Sequence, residues 1–532
     1  MVNIGTTLVS PITAGSFSDY FEKINADISS VLNWAYDASI VWVLIVLLLA
    51  TGIYFTIRSR FMQVRLFGHM FKVITDSRSG AKGGISSFQA FAIGLADRVG
   101  TGSIAGVALA VVAGGPGAVF WMWIVALVGM VTAFVEATLA QIFKVRNGDG
   151  TFRGGPAFYI LRGLNSRKWG AVFAILLIFA YGFSFEMIQS NSISQLAEVS
   201  FGAPTWVTAV ILTIMTLPLV LGGMRKIAVM SEYLAPIMAL VYVVMGLLVM
   251  AINFHNIPHV FSEIFAGAFG GGTYVPPAVA GATGAFIAAL TTGIKRGLFT
   301  NEAGMGSAPN AAATATVDHP VTQGMIQALG VFVDTMLVCT STAFIILMSG
   351  PFWNPNRSAK QDGTALTSLS LVETLGSSPT THTIVSVIVL VLMICFGYTT
   401  ILGNFTYAET NYRYLAGLNK SVLPLKLLVI FSTFLGAVLP LPSVWSIADW
   451  ATALMTIVNL GAILLLGKWA FGALRDYEAQ RSKGETPIFC SVNNPHLPGE
   501  LPTDVWDVPG GHHESWNEEN ATNQTEKVDA EK

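Results

Sequence analysis

Long apolar stretches dominate this chain, and each is long enough to cross the hydrocarbon core of a bilayer as a helix. Only 11% of the 532 residues are charged, against about 25% in an ordinary soluble domain. The chain is therefore expected to be an all-α integral membrane protein, and its net charge of −2 argues against nucleic acid as a partner. We predict eleven transmembrane helices, near residues 38–57, 86–112, 116–143, 169–197, 205–222, 227–252, 276–299, 321–349, 383–408, 421–440 and 443–467.

Basic residues in the connecting loops predict the orientation, because Lys and Arg accumulate on the cytoplasmic side of a membrane. The loops after the first and third stretches are rich in both residues, whereas 253–275 contains neither. This alternation predicts a multi-pass protein of the cytoplasmic (inner) membrane, with its N-terminus outside and its C-terminus in the cytoplasm. Later loops on the predicted inner side carry Arg225, Lys226, Lys295, Arg296 and Arg413.

Two five-helix units account for most of the predicted spans, since the second and seventh stretches are both interrupted and lie five spans apart. We expect the remaining residues to form a first helix, a surface linker, an external loop and a tail that is disordered at its end. The predicted segments are an external N-terminal segment (1–37), an extra helix (38–58), a cytoplasmic amphipathic linker (59–85), the first five-helix unit (86–252), an external loop (253–275), the second unit (276–470) and a cytoplasmic tail (471–532).

The second stretch has a sequence that no ordinary lipid-facing helix would tolerate. Its middle contains Asp97, Arg98 and the run Gly100–Ser103. A charge at the bilayer centre costs a few kcal/mol, and each Gly inside a helix costs about 1 kcal/mol relative to Ala. Backbone that leaves the helix inside a membrane can use its free N–H and C=O groups to hold an ion or a polar solute. We therefore interpret this stretch as an unwound helix that lines a binding cavity.

Polar residues interrupt three further stretches, the fourth, the seventh and the ninth, which predicts one central site shared by four spans. Tight helix packing explains a Gly and Ser run about equally well by itself, and Glu136 and Asp334 are better explained as satisfied buried acids. The chain contains no nucleophile with a neighbouring base, no HExxH and no Walker motif, and its three Cys lack metal-ligand spacing. From these patterns we expect neither an enzyme nor a metal centre.

Three sequence runs carry a family resemblance: residues 99–123, residues 187–198, and GIKRGLFTNEAGMGSAP at 293–309 with DHPVTQG following it. In these runs the chain resembles the alanine or glycine:cation symporters, and the similarity covers about residues 38–470. The resemblance implies a leucine-transporter-type fold, with two inverted five-helix repeats preceded by one extra helix. It also implies import of a small neutral amino acid by alternating access, with Na⁺ as the coupling ion.

The resemblance further implies which residues bind. In that fold the first helix of each repeat unwinds at the bilayer midplane, here at Ala96–Ser103 and Gly281–Ala285. Backbone N–H groups of the first unwound segment would meet the substrate carboxylate, and oxygen ligands suit Na⁺. The substrate-binding residues implied are Gly100, Thr101, Gly102, Ser103, Gln189, Thr283, Gly284 and Asn404, and the sodium ligands are Ala96, Val99, Thr399 and Thr400.

Four charged residues are expected to act in gating instead of binding. Lys295 and Arg296 place the GIKRGLFTNEAG run at the cytoplasmic end of the seventh span, away from the midplane where binding belongs. An inner gate or a held loop is therefore the expected role of this run. The predicted gating residues are Asp97, Arg98, Arg296 and Glu302.

Two positions depart from the family pattern. Ser103 stands where the family commonly has Asn, and Asn404 stands where it commonly has Trp. These changes predict a larger and more polar pocket, which adds serine and glutamine to alanine and glycine as substrates. Other functions that the sequence leaves open are a proton-coupled amino-acid transporter, an ion channel and a substrate-sensing membrane receptor that signals through its tail. We expect a monomer in the lipid bilayer.

Overall fold

The computed structural model describes residues 39–77, 85–147, 150–221, 224–276, 279, 281–376 and 378–511. The predicted N-terminal segment and the last 21 residues of the predicted tail, 512–532, lie outside these ranges. Helices make up most of the described chain, in agreement with the predicted all-α membrane protein, and the one named sheet among them has two short strands.

Helices of the first half begin at the predicted first span and end near residue 267. They are α1 (Val41–Arg58), α2 (Met62–Arg65), α3 (Phe67–Asp76), α4 (Ser87–Arg98), a π-helix (Gly102–Gly106), α5 (Val107–Gly114), α6 (Gly117–Ile142), α7 (Pro156–Gly163), α8 (Arg167–Phe179), a π-helix (Ala180–Ser184), α9 (Phe185–Phe201), α10 (Thr205–Leu221), α11 (Met224–Ile252), a 3₁₀ turn (Phe254–Asn256) and α12 (Ile257–Gly267). Strands β1 (Val145–Arg146) and β2 (Phe152–Arg153) pair antiparallel between α6 and α7.

The second half contains the two longest helices of the described chain, α19 and α21. Its elements are α13 (Gly281–Asn301), α14 (Pro309–Ala312), α15 (Pro320–Phe332), a π-helix (Val333–Cys339), α16 (Thr340–Leu347), α17 (Gly350–Trp353), a 3₁₀ turn (Ala359–Gln361), α18 (Thr364–Leu375), α19 (Pro379–Ala416), α20 (Leu423–Val438), α21 (Leu441–Ser482) and a 3₁₀ turn (Pro509–Gly511).

Seven helical segments in the described ranges are long and apolar enough to cross a membrane. A pair of helices, Ser87–Arg98 and Gly102–Gly114, passes the same test together but bends by 43° at its break. Length and composition therefore support seven spans, or eight with the bent pair, and the count of eleven stays a prediction. The seven are Val41–Arg58, Gly117–Ile142, Arg167–Phe201, Tyr233–Ile252, Pro320–Leu347, Pro379–Ala416 and Leu441–Ser482.

Residues 483–511 cover one end of the helices, which we call the tail face. Trp506 is fully buried there, and its Nε1 donates a 2.9 Å hydrogen bond to the carbonyl oxygen of Gln141 at the end of α6. Phe489 is also buried, and its backbone N–H donates to the Asp318 carbonyl oxygen at 2.9 Å. This part of the predicted tail therefore packs on the ends of the helices.

The two most basic loops lie at this same face. Arg65 forms a 2.6 Å ion pair with Glu478 near the end of α21, and Arg162 Nη1 donates to the Pro502 carbonyl oxygen at 2.8 Å. At the other end of α21, Asn191 Nδ2 donates to the Leu439 carbonyl oxygen at 2.6 Å. The basic loops and the beginning of α21 thus lie at opposite faces, as the loop charges predict. That the tail face is cytoplasmic stays a prediction.

Candidate substrate and ion site

The first break in a helix occurs where the sequence predicts it, within Ala96–Ser103. Helix α4 begins with a capping box in which Ser86 and Gln89 bond to each other's backbone N–H, and it ends at Arg98. Val99 has non-helical φ and ψ angles of −82° and 63°. A Cβ atom on Gly100 would lie 2.4 Å from Thr400 Oγ1, so only glycine fits this approach to α19. The chain returns to helical form at Gly102.

Gln189 meets this break directly. Its Oε1 accepts hydrogen bonds from the Thr101 hydroxyl at 2.6 Å and from the Thr101 backbone N–H at 3.4 Å. Ser103 Oγ lies 2.6 Å from Asp334 Oδ1 and 2.8 Å from the Arg98 carbonyl oxygen. The structure therefore brings Gln189 and the predicted unwound segment together, in a buried and polar environment.

Two of the four predicted sodium ligands are in direct contact. Thr400 Oγ1 lies 3.0 Å from the Ala96 carbonyl oxygen and 2.9 Å from the Phe396 carbonyl oxygen of its own helix. Thr399 is buried one position earlier, and its hydroxyl bonds to carbonyl oxygens of α19, while Val99 follows Ala96 at the break. Carbonyl and hydroxyl oxygens are ligands that suit a hard cation.

The predicted second unwound segment, Gly281–Ala285, is wrong. Helix α13 is continuous from Gly281 to Asn301, and the chain leaves the helix only at residues 302–308. Positive φ angles at Glu302, Gly304 and Gly306 produce this break. Gly and Thr residues are tolerated within a helix, so those at 281–285 do not unwind α13. A left-handed backbone does interrupt a helix, and it occurs at residues 302–306.

Thr283 and Gly284, predicted to bind substrate, therefore lie elsewhere. They occupy the first turn of α13, where Thr283 is exposed and Gly284 is partly exposed. The first break lies instead beside the opposite end of this helix, where Phe299 is near Gly102. The structure does not bring these two residues together with the other predicted binding residues.

Arg296 is not in a loop, contrary to the prediction from its charge. Its side chain is buried, its Nη2 lies 2.8 Å from Asp449 Oδ2, and its guanidinium lies 4.4 Å from the centre of the Trp445 ring. Lys295 Nζ lies 3.0 Å from the same Asp449 oxygen. Asp449 is eight residues from the start of α21, on the side away from the tail face. The expected place of Arg296 in a loop is therefore corrected, and its gating role stays a prediction.

Phe299 lies against the first break, and sequence reasoning missed it. Its ring stacks on Phe185 at 4.5 Å between centres and lies 4.8 Å from Trp445. A Cβ on Gly102 would be 2.8 Å from Phe299 Cε1. A signal was present, because Phe299 is a bulky residue near the end of a helix that contains several glycines, and it immediately precedes the polar run Thr300–Glu302.

The other predicted gating residues form a buried charged cluster on the tail side of the break. Asp97 faces Glu302, whose Oε2 accepts a 2.9 Å hydrogen bond from Ser307. Arg98 Nη1 donates to the Gln327 carbonyl oxygen at 3.3 Å. Asp97, Arg98 and Glu302 are each less than 6% exposed. These residues lie together beside the first break, and Arg296 belongs to a separate ion pair.

Asn404 is fully buried on α19, one helical turn beyond Thr400, and faces Glu186 of α9. Glu186 is likewise fully buried, one turn before Gln189. The Asn404 amide and the Glu186 carboxyl lie within hydrogen-bonding distance of each other. Asn404 thus lies near the predicted site, but its side chain interacts with a carboxyl group that the predicted binding set did not include.

Comparison with known proteins identifies the family. The model of the sodium:alanine symporter family matches residues 25–491. The probable sodium/glutamine symporter GlnT of Bacillus subtilis (strain 168) is 45% identical over 447 residues, covering 84% of this chain and 90% of that protein. YrbD of the same organism, named as a candidate sodium/proton-dependent alanine carrier, is 40% identical and covers 88% and 95%.

A third relative is the sodium/alanine symporter AgcS of Methanococcus maripaludis, which is 36% identical over 460 residues, covering 84% of this chain and 98% of that protein. All three relatives are named as carriers or symporters, and none is named as an enzyme. With a family match over most of its length and apolar helices that suit a membrane, the chain belongs to the sodium:alanine symporter family.

Proposed function

We propose that this protein is a sodium-coupled symporter that imports a small neutral amino acid by alternating access. One arrangement supports this function above all. The same three-residue break meets Gln189 at Thr101 and lies against Thr400 at Gly100. An amino acid at Thr101 and an ion at Ala96 would order the same backbone, so each would bind better when the other is present.

Within this proposal the backbone N–H groups of Gly100–Ser103 receive the substrate carboxylate, and Gln189 orients the amino acid. Na⁺ is held by the Ala96 and Val99 carbonyl oxygens together with the Thr399 and Thr400 hydroxyls. Both groups of ligands are buried, which strengthens their interaction with charged atoms by excluding water. The names of GlnT and AgcS support sodium as the coupling ion.

We also propose two inverted five-helix repeats, at 86–252 and 276–470, preceded by the extra helix at 38–58. In this arrangement the tail face is cytoplasmic and the protein works as a monomer in the inner membrane. The ion pair of Arg296 and Asp449 then lies on the external side of the site, where separating it would open a path to Phe299. The basic loops at the tail face support this orientation.

Proton coupling is the second candidate, and one observation favours it. Asp97 and Glu302 bring two carboxyl groups together beside the break, and the name of YrbD includes proton dependence. One measurement distinguishes sodium coupling from proton coupling. Amino-acid uptake into proteoliposomes should depend on a Na⁺ gradient at constant pH and should stop when Na⁺ is replaced by choline.

A matched pair of variants tests the ion site in the same assay. Thr400→Val keeps the size of the side chain and removes the hydroxyl, so the Na⁺ concentration for half-maximal uptake should rise at least tenfold. Thr400→Ser keeps the hydroxyl and should stay close to the wild type. Uptake that is driven by a pH gradient and unaffected by choline would exclude sodium coupling and favour the proton.

A further inference from the structure

The tail residues that cover the helix ends form a small folded unit. We call residues 487–511 the folded tail, and most of it lies beyond residue 491, where the match to the family model ends. Phe489 and Trp506 are both fully buried, and their ring centres are 5.3 Å apart. The Ser491 backbone N–H donates to the Trp506 carbonyl oxygen at 2.8 Å. The folded tail therefore has an aromatic core of its own.

Trp506 joins the folded tail to the end of α6. Besides its hydrogen bond to the Gln141 carbonyl oxygen, its ring centre lies 4.7 Å from Nζ of Lys144, which is 1% exposed. Lys144 Nζ and Gln141 Nε2 each donate a 3.0 Å hydrogen bond to the Ala315 carbonyl oxygen, between α14 and α15. Because an aromatic ring attracts a nearby ammonium group, Trp506 stabilises the two residues that hold Ala315 in place.

Ala315 connects this contact to α4, the helix that ends at the first break. Ala315 pairs with Ile85 in a β-bridge, and the Thr316 N–H donates to the Ile85 carbonyl oxygen at 3.0 Å. Helix α4 begins two residues later, at Ser87. The folded tail is thus joined to the start of α4 through a short series of hydrogen bonds.

A second set of contacts joins the folded tail to α15 and α21. The Phe489 N–H bonds to the Asp318 carbonyl oxygen, and the Phe489 ring lies 5.1 Å from the ring of His319 at the start of α15. On α21, Gln480 exchanges two hydrogen bonds with the Ile488 backbone, at 2.8 and 3.0 Å. The folded tail therefore spans the ends of α6, α15 and α21, which cannot separate at this face while it stays bound.

The tail side of the first break is closed in this conformation. Eleven of the 12 residues of α4 are buried. The cavity that Ile93 of α4 shares with Thr410 of α19 measures about 10 Å³, which is room for one water molecule at most. Alternating access, as proposed above, requires this side to open when cargo is released. The start of α4 must then move relative to its neighbours.

We propose that the folded tail is a latch that holds the tail side of the site closed, and that its release lets the start of α4 move. This inference rests on the proposed symport function and concerns its regulation. The latch joins helix ends outside the apolar spans, so it can detach without unfolding them. Weakening it should shift the population of the protein toward a conformation that is open at the tail face.

Thiol labelling of the purified protein in Na⁺-free buffer tests the latch, with a bulky maleimide as the probe. Thr410→Cys reports on the tail side of the break, and Ser386→Cys reports on the other end of the same helix, α19. Both positions are 4% exposed, so they form a matched pair. The starting protein has Ala in place of its three cysteines, Cys339, Cys395 and Cys490.

Trp506→Ala should speed labelling at Thr410→Cys at least threefold and leave labelling at Ser386→Cys unchanged. Phe489→Ala should act in the same direction, because it removes the other half of the aromatic core. Trp506→Phe keeps a ring beside Lys144 and loses only the indole N–H, so its effect should be smaller. Val492→Ala is the control within the folded tail, since Val492 is 54% exposed, and it should label like the starting protein.

Unchanged labelling at Thr410→Cys in all three aromatic variants would overturn the latch. Equal acceleration at Ser386→Cys would also overturn it, because the whole protein would then be loosened. Trp506→Phe is the mildest of the three changes and keeps the test available when the two alanine variants fail to fold.

Sodium separates the latch from the proposed function. The proposed Na⁺ ligands come from both α4 and α19, so saturating Na⁺ should hold these helices together and slow labelling at Thr410→Cys. Labelling that ignores Na⁺ but still responds to Trp506→Ala would contradict the sodium site and leave the latch in place. Labelling that responds to Na⁺ but not to the aromatic variants would overturn the latch alone.

Discussion

The two helix breaks of this protein differ in which groups bond to the backbone that they expose. The first, Val99–Thr101, is three residues long and meets Gln189 and Thr400, both proposed to bind cargo. The second, residues 302–308, is seven residues long and contains three positive φ angles. Sequence reasoning located the first and misplaced the second.

Protein side chains satisfy the second break from within. The Gly304 N–H donates to Glu136 Oε2 at 2.8 Å, and the Gly304 carbonyl oxygen accepts from Asn459 Nδ2 at 2.9 Å. Asn459 also bonds to Glu136 and to the Tyr159 hydroxyl. Because the Gly304 backbone is already paired, this part of the second break has little to offer a solute, and we expect it to hold α13 and α14 in place.

This contrast teaches that an unwound helix in a membrane is not by itself a binding site. The first break differs because the hydroxyl, amide and carbonyl oxygens around it bond to one another. Each of these oxygens can exchange its present partner for a ligand. The second break is held by a network built around Glu136, which the sequence interpretation had correctly treated as a satisfied buried acid. Substitutions at the two breaks should therefore separate stability from binding.

Asp449→Ala should have the largest effect on stability. It removes the carboxylate that pairs with the buried Arg296 ahead of the second break, and leaving one partner of a buried ion pair costs about 3–5 kcal/mol. Thermal unfolding of the detergent-purified protein should shift sharply downward. The double variant Arg296→Met with Asp449→Leu should regain most of the loss, and equal instability of both proteins would refute the role of the pair.

Glu136→Leu should come next, with a loss of about 2–3 kcal/mol, because it leaves the Gly304 N–H without its acceptor and removes one of the two acceptors of the Asn459 amide. Glu136→Gln keeps an acceptor and should lose less. The comparison of the breaks predicts that Na⁺ affinity, measured on the protein that remains folded, stays within twofold of the wild type. A tenfold loss of Na⁺ affinity would place the second break in the binding site.

Gly100→Ala should give the opposite pattern at the first break. The new Cβ would lie 2.4 Å from Thr400 Oγ1 and push that hydroxyl away from Ala96, so Na⁺ affinity should fall about tenfold, or about 1.4 kcal/mol. Gly461→Ala is the matched control, since a Cβ on Gly461 meets nothing within 4 Å. Unchanged Na⁺ dependence of uptake in Gly100→Ala would argue against the proposed sodium ligands.

Local patterns account for what the sequence predicted correctly. Apolar stretches located the membrane helices, and a charge beside glycines in one of them located the first break, because both signals lie within a few neighbouring residues. The second break was misplaced for a nonlocal reason. Lys295 and Arg296 looked like loop residues, since their partner Asp449 lies 153 positions away from Arg296 in the chain.

The same limit applies to the tail and to the contact between Asn404 and Glu186. Residues 483–511 look soluble, but Trp506 finds its partner in Gln141, far earlier in the chain. Asn404 stood out as a departure from the family pattern, whereas its pairing with Glu186 required the packing of α9 against α19. Residue type predicted which positions were unusual, and only the fold could tell which of them meet.

Thr283→Ala should have the smallest effect, and it tests the corrected position of the second break. Thr283 is exposed in the first turn of α13, so its loss should change stability by no more than about 0.5 kcal/mol. Uptake and Na⁺ dependence should both match the wild type when expression is equal. A clear loss of substrate affinity would contradict this correction and would place the first turn of α13 in the substrate site.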